Sequence, residues 1–183
     1  MWTPDVYEGA PLPIGAFLSI ASKAAAFAVI LRIFYIAFGN VTLDWSIMFA
    51  SLSAITMTVG NFIAIQQNSI KRLLGYSTIA HAGYMLIGVA AVTTIPPVTN
   101  DSYLGITSLL FYLGGYATMT LTAFFAALGI ISKTGSGQIA SLAGMGKRSP
   151  LIALVLSLSL ISLIGIPPTV GFTGKLFLFN AAV

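Results

Sequence analysis

The run IGAFLSIASKAAAFAVILRIFYIA, Ile14 to Ala37, decides how this chain is read. About 20 apolar residues at 1.5 Å rise cross a ~30 Å hydrocarbon core, so the run is long enough to span a membrane as a helix. It contains two charges, Lys23 and Arg32. Lys23 lies about nine residues, or roughly 13 Å, inside the run and so near the bilayer midplane. A charge there costs roughly 2.5–3.5 kcal/mol on insertion scales and is rarely kept without a task. Arg32 sits near the far end, where its side chain can snorkel to the surface.

The rest of the chain agrees with this reading. Of 183 residues, 57% are hydrophobic and only 7% charged, and the mean hydropathy is +0.98. A soluble domain carries roughly 25% charged residues. The apolar runs are continuous rather than ~10-residue alternating segments, which predicts helices and not a barrel. The expected class is therefore all-α, a polytopic transmembrane helix bundle in a single transmembrane domain over residues 1–183. The chain has no cysteine, which excludes disulfides, thiolate iron–sulfur ligation and cysteine zinc sites within it. Its net charge is +4. The basic residues lie in loops or singly in spans, with no basic face, so nucleic acid is not an expected partner. Trp2-Thr3-Pro4-Asp5 after Met1 is not a cleavable signal, and insertion is expected to start from the spans themselves.

Five spans are expected. Trp2–Pro13 reads as a polar, proline-rich entry loop. Span one is 14–37, followed by a turn over 38–44 with Gly39-Asn40 as breaker. Span two is 45–65, with Trp45 as an interfacial anchor. A short link, 66–69, leads to span three, 70–91. A loop over 92–102 holds Pro96-Pro97 and Asp101. Span four is 103–131, long enough to tilt or project from the bilayer. The segment 132–149 is the longest loop, and Gly135-Ser136-Gly137 in it reads as flexible. Span five, 150–183, is discontinuous: it breaks at 165–170, where Gly165-Ile166-Pro167-Pro168 stands, and restarts near Gly171. Broken helices place free backbone groups and dipole ends at membrane depth, where transporters build ion sites.

The loops alternate sides. The entry loop, 66–72 and 132–149 share one side and carry Lys71, Arg72, Lys133, Lys147 and Arg148, whereas 38–44 and 92–102 carry no lysine or arginine. This bias predicts that the basic side is cytoplasmic.

The candidate functional residues are Lys23, Lys175 and His81. A low-dielectric site penalises the charged form of a lysine, so a buried lysine can gain and lose a proton where arginine cannot. Lys175 adjoins the helix break. The competing readings are that Lys23 snorkels and that the second half-helix carrying Lys175 begins near a surface. His81 lies about ten residues into span three, also near the midplane. It either relays protons between the lysines or is a neutral histidine bonded to a neighbouring helix. Asp5 and Glu8 cap a helix start or pair with basic neighbours. Tyr76, Ser77 and Thr78 either hold water near the path or pack between helices. No nucleophile–base set, metal-ligand cluster or dinucleotide fingerprint is present, and the glycine tract lacks the ending of a phosphate-binding loop.

Four stretches carry a resemblance. They are Trp2-Thr3-Pro4-Asp5-Val6-Tyr7-Glu8-Gly9-Ala10-Pro11; Ala21-Ser22-Lys23; Ile70-Lys71-Arg72-Leu73-Leu74-Gly75-Tyr76-Ser77 running on to His81-Ala82-Gly83-Tyr84; and Gly165-Ile166-Pro167-Pro168 with Gly171-Phe172-Thr173-Gly174-Lys175. Together they resemble subunit N of the proton-pumping NADH:quinone oxidoreductase, respiratory complex I. The first stretch is the specific one, because the sister subunits L and M and the cation/proton antiporters differ there. The third is shared across the superfamily. The resemblance implies an antiporter-like fold of about fourteen helices, of which this chain is an internal piece, from the loop after the seventh helix to the broken twelfth. Met1 is then an ordinary family position. Two pathway residues, a glutamate of the fifth helix and a lysine of the seventh, would lie upstream. Lys23 corresponds to the central lysine of the eighth helix, and Lys175 to the lysine of the broken twelfth.

The implied function is proton translocation in the bacterial plasma membrane, driven by electron transfer from NADH to quinone. The redox cofactors (NADH, FMN, iron–sulfur clusters and quinone) would belong to partner subunits, and the chain itself would do no redox chemistry. The implied partners are subunit M, the small subunits A, J and K, and the lipid bilayer. The alternatives are a subunit of a sodium/proton antiporter or membrane-bound hydrogenase, and a structural membrane subunit with no ion path of its own.

Overall fold

Proline sets where the first two helices begin. The computed structural model describes residues 2–34, 43–93 and 102–183. Trp2–Pro13, expected to be a loop, instead contains a short helix, α1, Thr3–Gly9, with Pro4 in its first turn. The next helix, α2, Leu12–Arg32, starts two residues earlier than expected, with Pro13 in its first turn. Proline suits that place, because the first-turn N–H groups have no intrahelical acceptor anyway. The same rule places Pro150 at the start of a later helix.

The remaining long elements are α3, Leu43–Ile65, α4, Ile70–Thr93, and α5, Ser102–Thr134. Each runs a little past its predicted end, so Asp44, Val92 and Ser132 are helical rather than loop residues. The outer end of span one, the Gly39-Asn40 breaker and Pro96-Pro97 lie outside the described residues. Among the described residues, four helices are long and apolar enough to cross a membrane: Leu12–Arg32, Trp45–Ile65, Ile70–Val92 and Leu104–Thr134. The 33 residues of α5 amount to roughly 50 Å, well beyond a ~30 Å core, as its predicted length required.

Helices α4 and α5 form the centre. α5 packs against α2, α4 and the two half-helices, while α3 packs mainly on α4. The α3–α4 contact rests on close backbone approach. A Cβ at Gly83 would meet Met57 Cγ at 2.6 Å and Met57 N at 2.9 Å, and a Cβ at Gly60 would meet Ala80 N at 2.9 Å. Ser53 donates a 2.7 Å hydrogen bond to the Gly83 carbonyl. Small residues with a hydroxyl bond are the usual adhesive between helices in lipid, where burial against lipid tails brings no hydrophobic gain.

The fifth span is two helices, as predicted: α7, Pro150–Ile164, and α8, Val170–Ala182. Each alone is too short to span the core. Gly165 ends α7 in the left-handed region at φ 89°, a conformation glycine adopts without a Cβ clash. The N–H groups of Gly165 and Ile166 both return to the Ile161 carbonyl, at 3.0 and 3.3 Å, in a Schellman-like close. Pro167 and Pro168 then bar the helix from continuing.

The segment 132–149 is more ordered than its composition suggested. It holds a 3-10 turn, Ile139–Leu142, and a short helix, α6, Met145–Arg148. Gly137 lies in a bonded stretch rather than a flexible one. Its carbonyl accepts from Ile70 N at 2.9 Å, and Ile139 N donates to the Asn68 carbonyl at 2.8 Å. Helix α1 is fastened at the same end. Arg72 Nη2 lies 2.8 Å from Asp5 Oδ1 and Nη1 lies 3.4 Å from Glu8 Oε2. Lys71 Nζ donates to the Glu8 and Ala10 carbonyls. These exposed pairs contribute on the order of 1 kcal/mol or less each. The apolar contacts of Tyr7 do more, since it is buried edge-on against Phe124. Burial holds the Tyr7 phenol above its ordinary pKa range, so it stays neutral. The entry segment, 66–72 and 132–149 therefore meet at one end of the bundle, as loop alternation required.

Replacing Gly83 by valine should destabilise the full-length protein by on the order of 1–3 kcal/mol, because Met57 and its backbone must shift. Gly114→Ala, where no atom lies within 4 Å of the new Cβ, should stay within about 1 kcal/mol of the parent. Unfolding in mixed micelles checks both. Equal effects would contradict the packing described.

Candidate functional site

Lys23 on α2 faces the interface between α4 and α5. Its Nζ donates to the Thr78 carbonyl of α4 and, at 2.9 Å, to the Tyr116 hydroxyl of α5. It also stands 4.3 Å from the Tyr116 ring centroid, a cation–π distance. Tyr116 in turn donates toward Thr78 Oγ1 at 3.3 Å. Lys23 is thus bound to groups on two neighbouring helices. Of the trio Tyr76, Ser77 and Thr78, it is Thr78 that contacts it.

His81 lies one turn beyond Thr78 on α4 and is buried, 4% exposed. Its Nδ1 pairs with the Tyr112 hydroxyl. The imidazole is ringed by Tyr116, Tyr112 and Tyr84, with centroids at 5.3, 6.1 and 5.7 Å. Tyr112 and Tyr116 are four residues apart, so one face of α5 presents both.

Lys175 on α8 reaches back across the break. Its Nζ donates to the Leu163 and Ile164 carbonyls at 3.0 and 2.9 Å and stands 4.5 Å from the Tyr84 ring centroid. Those carbonyls belong to the last turn of α7, which has no intrahelical donor for them and carries the negative end of the helix dipole. Lys175 is therefore a charge-assisted cap on α7. An ammonium offers three donors and a full charge there, whereas a neutral amine offers fewer donors and no charge.

The structure thus brings the three predicted residues together in the order Lys23, Tyr116, His81, Tyr84, Lys175, across α2, α5, α4 and α8. Their hydrogen bonds form three segments: Lys23–Tyr116–Thr78, His81–Tyr112, and Lys175 with the end of α7. Aromatic contacts lie between the segments. Among the described residues, the partners of the lysines are carbonyl and hydroxyl oxygens and aromatic faces. The tyrosines were not singled out from sequence as site residues. The available signals were the four-residue spacing of Tyr112 and Tyr116 and the position of Tyr84 three after His81.

Replacing Lys175 by methionine should speed hydrogen exchange at the Gly165, Ile166 and Thr169 amides in the full-length protein. Lys175→Arg should largely preserve their protection, because it keeps the donors and the charge at the end of α7. Unchanged exchange in the methionine variant would remove the capping role.

Residues 1–183 match the family model described as NADH:quinone oxidoreductase/Mrp antiporter, transmembrane. The chain is 48% identical over 185 residues to NADH-quinone oxidoreductase subunit N of Dehalococcoides mccartyi, covering 100% of this chain and 37% of that protein. Among solved structures, it is similar to a chain of respiratory complex I from Thermus thermophilus with bound aureothin, at TM-score 0.77 and 35% identity. That match covers 99% of this chain and 37% of the other. It is also similar to a chain of the Mrp complex from Dietzia sp. DQ12-45-1b, at TM-score 0.84 and 28% identity, covering 99% and 32%. The chain therefore spans about a third of the length of the relatives it matches.

Proposed function

The chain belongs to the NADH:quinone oxidoreductase/Mrp antiporter transmembrane family, and from that premise we propose that it is part of a proton-translocating membrane subunit of an NADH:quinone oxidoreductase. The observation that carries this reading is the placement of Lys23, His81 and Lys175 on three helices, with Tyr116 and Tyr84 between them. Lys23 and Lys175 are the proton-exchanging groups, and His81 is the intermediate station.

The chemistry follows from the donors. While Lys23 is an ammonium, it donates to Thr78 and Tyr116. Once it has lost a proton, the amine can accept from the Tyr116 hydroxyl, which reverses the direction of that bond. Passage onward to His81 needs an ordered water or a ring rotation, since the contact there is aromatic. Arrival of a proton at Lys175 tightens the cap on α7, and its departure loosens it. A charge at one station biases the next, strongly where water is scarce. NADH, FMN, iron–sulfur clusters and quinone are held by partner subunits, and redox energy reaches this chain through neighbours such as subunits M, A, J and K. The membrane is a bacterial plasma membrane with the basic end cytoplasmic. The concentration of Lys71, Arg72, Lys133, Lys147 and Arg148 at one end supports that orientation.

The Mrp likeness supports a second reading, a sodium/proton antiporter subunit using the same lysines. A third is a structural subunit in which the satisfied bonds of Lys23 serve assembly alone. One experiment separates them. The full-length parent carrying Lys23→Ala is placed in sealed vesicles, and NADH-driven quinone reduction and proton uptake are measured per assembled complex. We expect both to fall at least ten-fold with the complex intact, and Tyr116→Phe to lower them by several-fold, equivalent to about 1 kcal/mol. Persistence of both activities in Lys23→Ala would leave the lysine structural. Sodium-dependent, NADH-independent exchange would favour the antiporter.

A further inference from the structure

At the basic end of the bundle, an apolar groove of about 410 Å³ runs between α5 and α7. Leu121, Phe125 and Gly129 line it from α5, and Leu151, Ile152 and Val155 from α7. Thr122 and Ala126 complete the α5 side; Leu121, Phe125 and Gly129 are spaced four apart, and the next position in that row is Lys133. That lysine donates at 2.7 Å to Ser149 Oγ. Ser149 stands at the N-cap of α7, where its side chain makes no capping bond and accepts from Lys133. Lys147 and Arg148 precede Ser149 and are exposed. Among the described residues, the ion pairs are those of Arg72 with Asp5 and Glu8, and no carboxylate pairs with Lys133, Lys147 or Arg148.

We propose that this groove and its basic head bind one anionic phospholipid. The phosphate sits against Lys133, Lys147 and Arg148, and an acyl chain lies along Leu121–Gly129 and Leu151–Val155. Length and charge both argue for this occupant. From Lys133 to Leu121 is twelve residues of α5, roughly 18 Å, close to one leaflet of a ~30 Å core with its interface. The apolar part of the groove therefore ends about where an acyl chain would. Three uncompensated positive charges at the membrane surface attract anionic headgroups. Lys133 keeps donors beyond the one given to Ser149, and the first-turn N–H groups of α7 have no intrahelical acceptor and lie beside the same charges. The site is separate from the Lys23–Lys175 path and does not depend on it.

The test uses the full-length protein in nanodiscs of phosphatidylcholine with a minority of phosphatidylglycerol. A photoreactive p-benzoylphenylalanine replaces Phe125, exposed in the groove, or Ile47, exposed on α3 as a control. Crosslinked lipid is identified by mass. At Phe125 the phosphatidylglycerol share should exceed its bulk share by at least five-fold, the preference expected for a single basic residue near the surface. At Ile47 it should match bulk. Lys147→Gln with Arg148→Gln, whose side chains make no ion pair among the described residues, should remove most of that excess, and adding Lys133→Gln should abolish it. Bulk-like adducts at Phe125, crosslinks to protein instead of lipid, or loss of the preference to excess inorganic phosphate would each overturn the proposal.

Discussion

Two lysines set among apolar helices, Lys23 and Lys175, dominate the design of this chain. A bare charge in hydrocarbon is costly, so the surrounding helices must supply oxygen acceptors and aromatic faces. Lys23 obtains them from two neighbouring helices, and Lys175 from the severed end of its own span. The break in the fifth span is thus also a source of acceptors. Continuous helix would have used the Leu163 and Ile164 carbonyls internally. Opened at Gly165, the helix offers them to the lysine that needs them.

The same constraint explains the centrality of α4 and α5. They hold the groups that touch the lysines, Thr78 and Tyr84 on α4 and Tyr116 on α5, with the His81–Tyr112 pair between them. The glycine and serine contacts of α3 against α4 brace this pair from one side. Helix α2 brings Lys23 from the other. Helix α1 and the 132–149 segment close the basic end through Arg72, Lys71 and the Gly137 backbone, leaving the path inside the bundle.

Local chemistry was legible in the sequence. The long apolar helices and the break at Gly165–Pro168 follow from apolar runs, glycine and proline. The proline-rich entry segment suggests a loop, but proline in a first turn permits a helix, and Thr3–Gly9 forms one. The order in 132–149 comes from bonds to Asn68 and Ile70, more than sixty residues away in sequence, which no local pattern announces. The tyrosine partners were hidden for the same reason: Lys23 and Tyr116 are 93 residues apart, and a tyrosine in an apolar span reads as packing until the fold sets it beside a charge.

On the proposed function, Tyr116 and His81 belong to one series path between the lysines. The most direct measurement is coupled proton uptake per assembled complex for Tyr116→Phe, His81→Gln and the double variant in the full-length protein. A single series path predicts that the double variant is about as slow as the slower single one, a strongly non-additive result. Losses that simply multiply would show two independent defects and contradict the path.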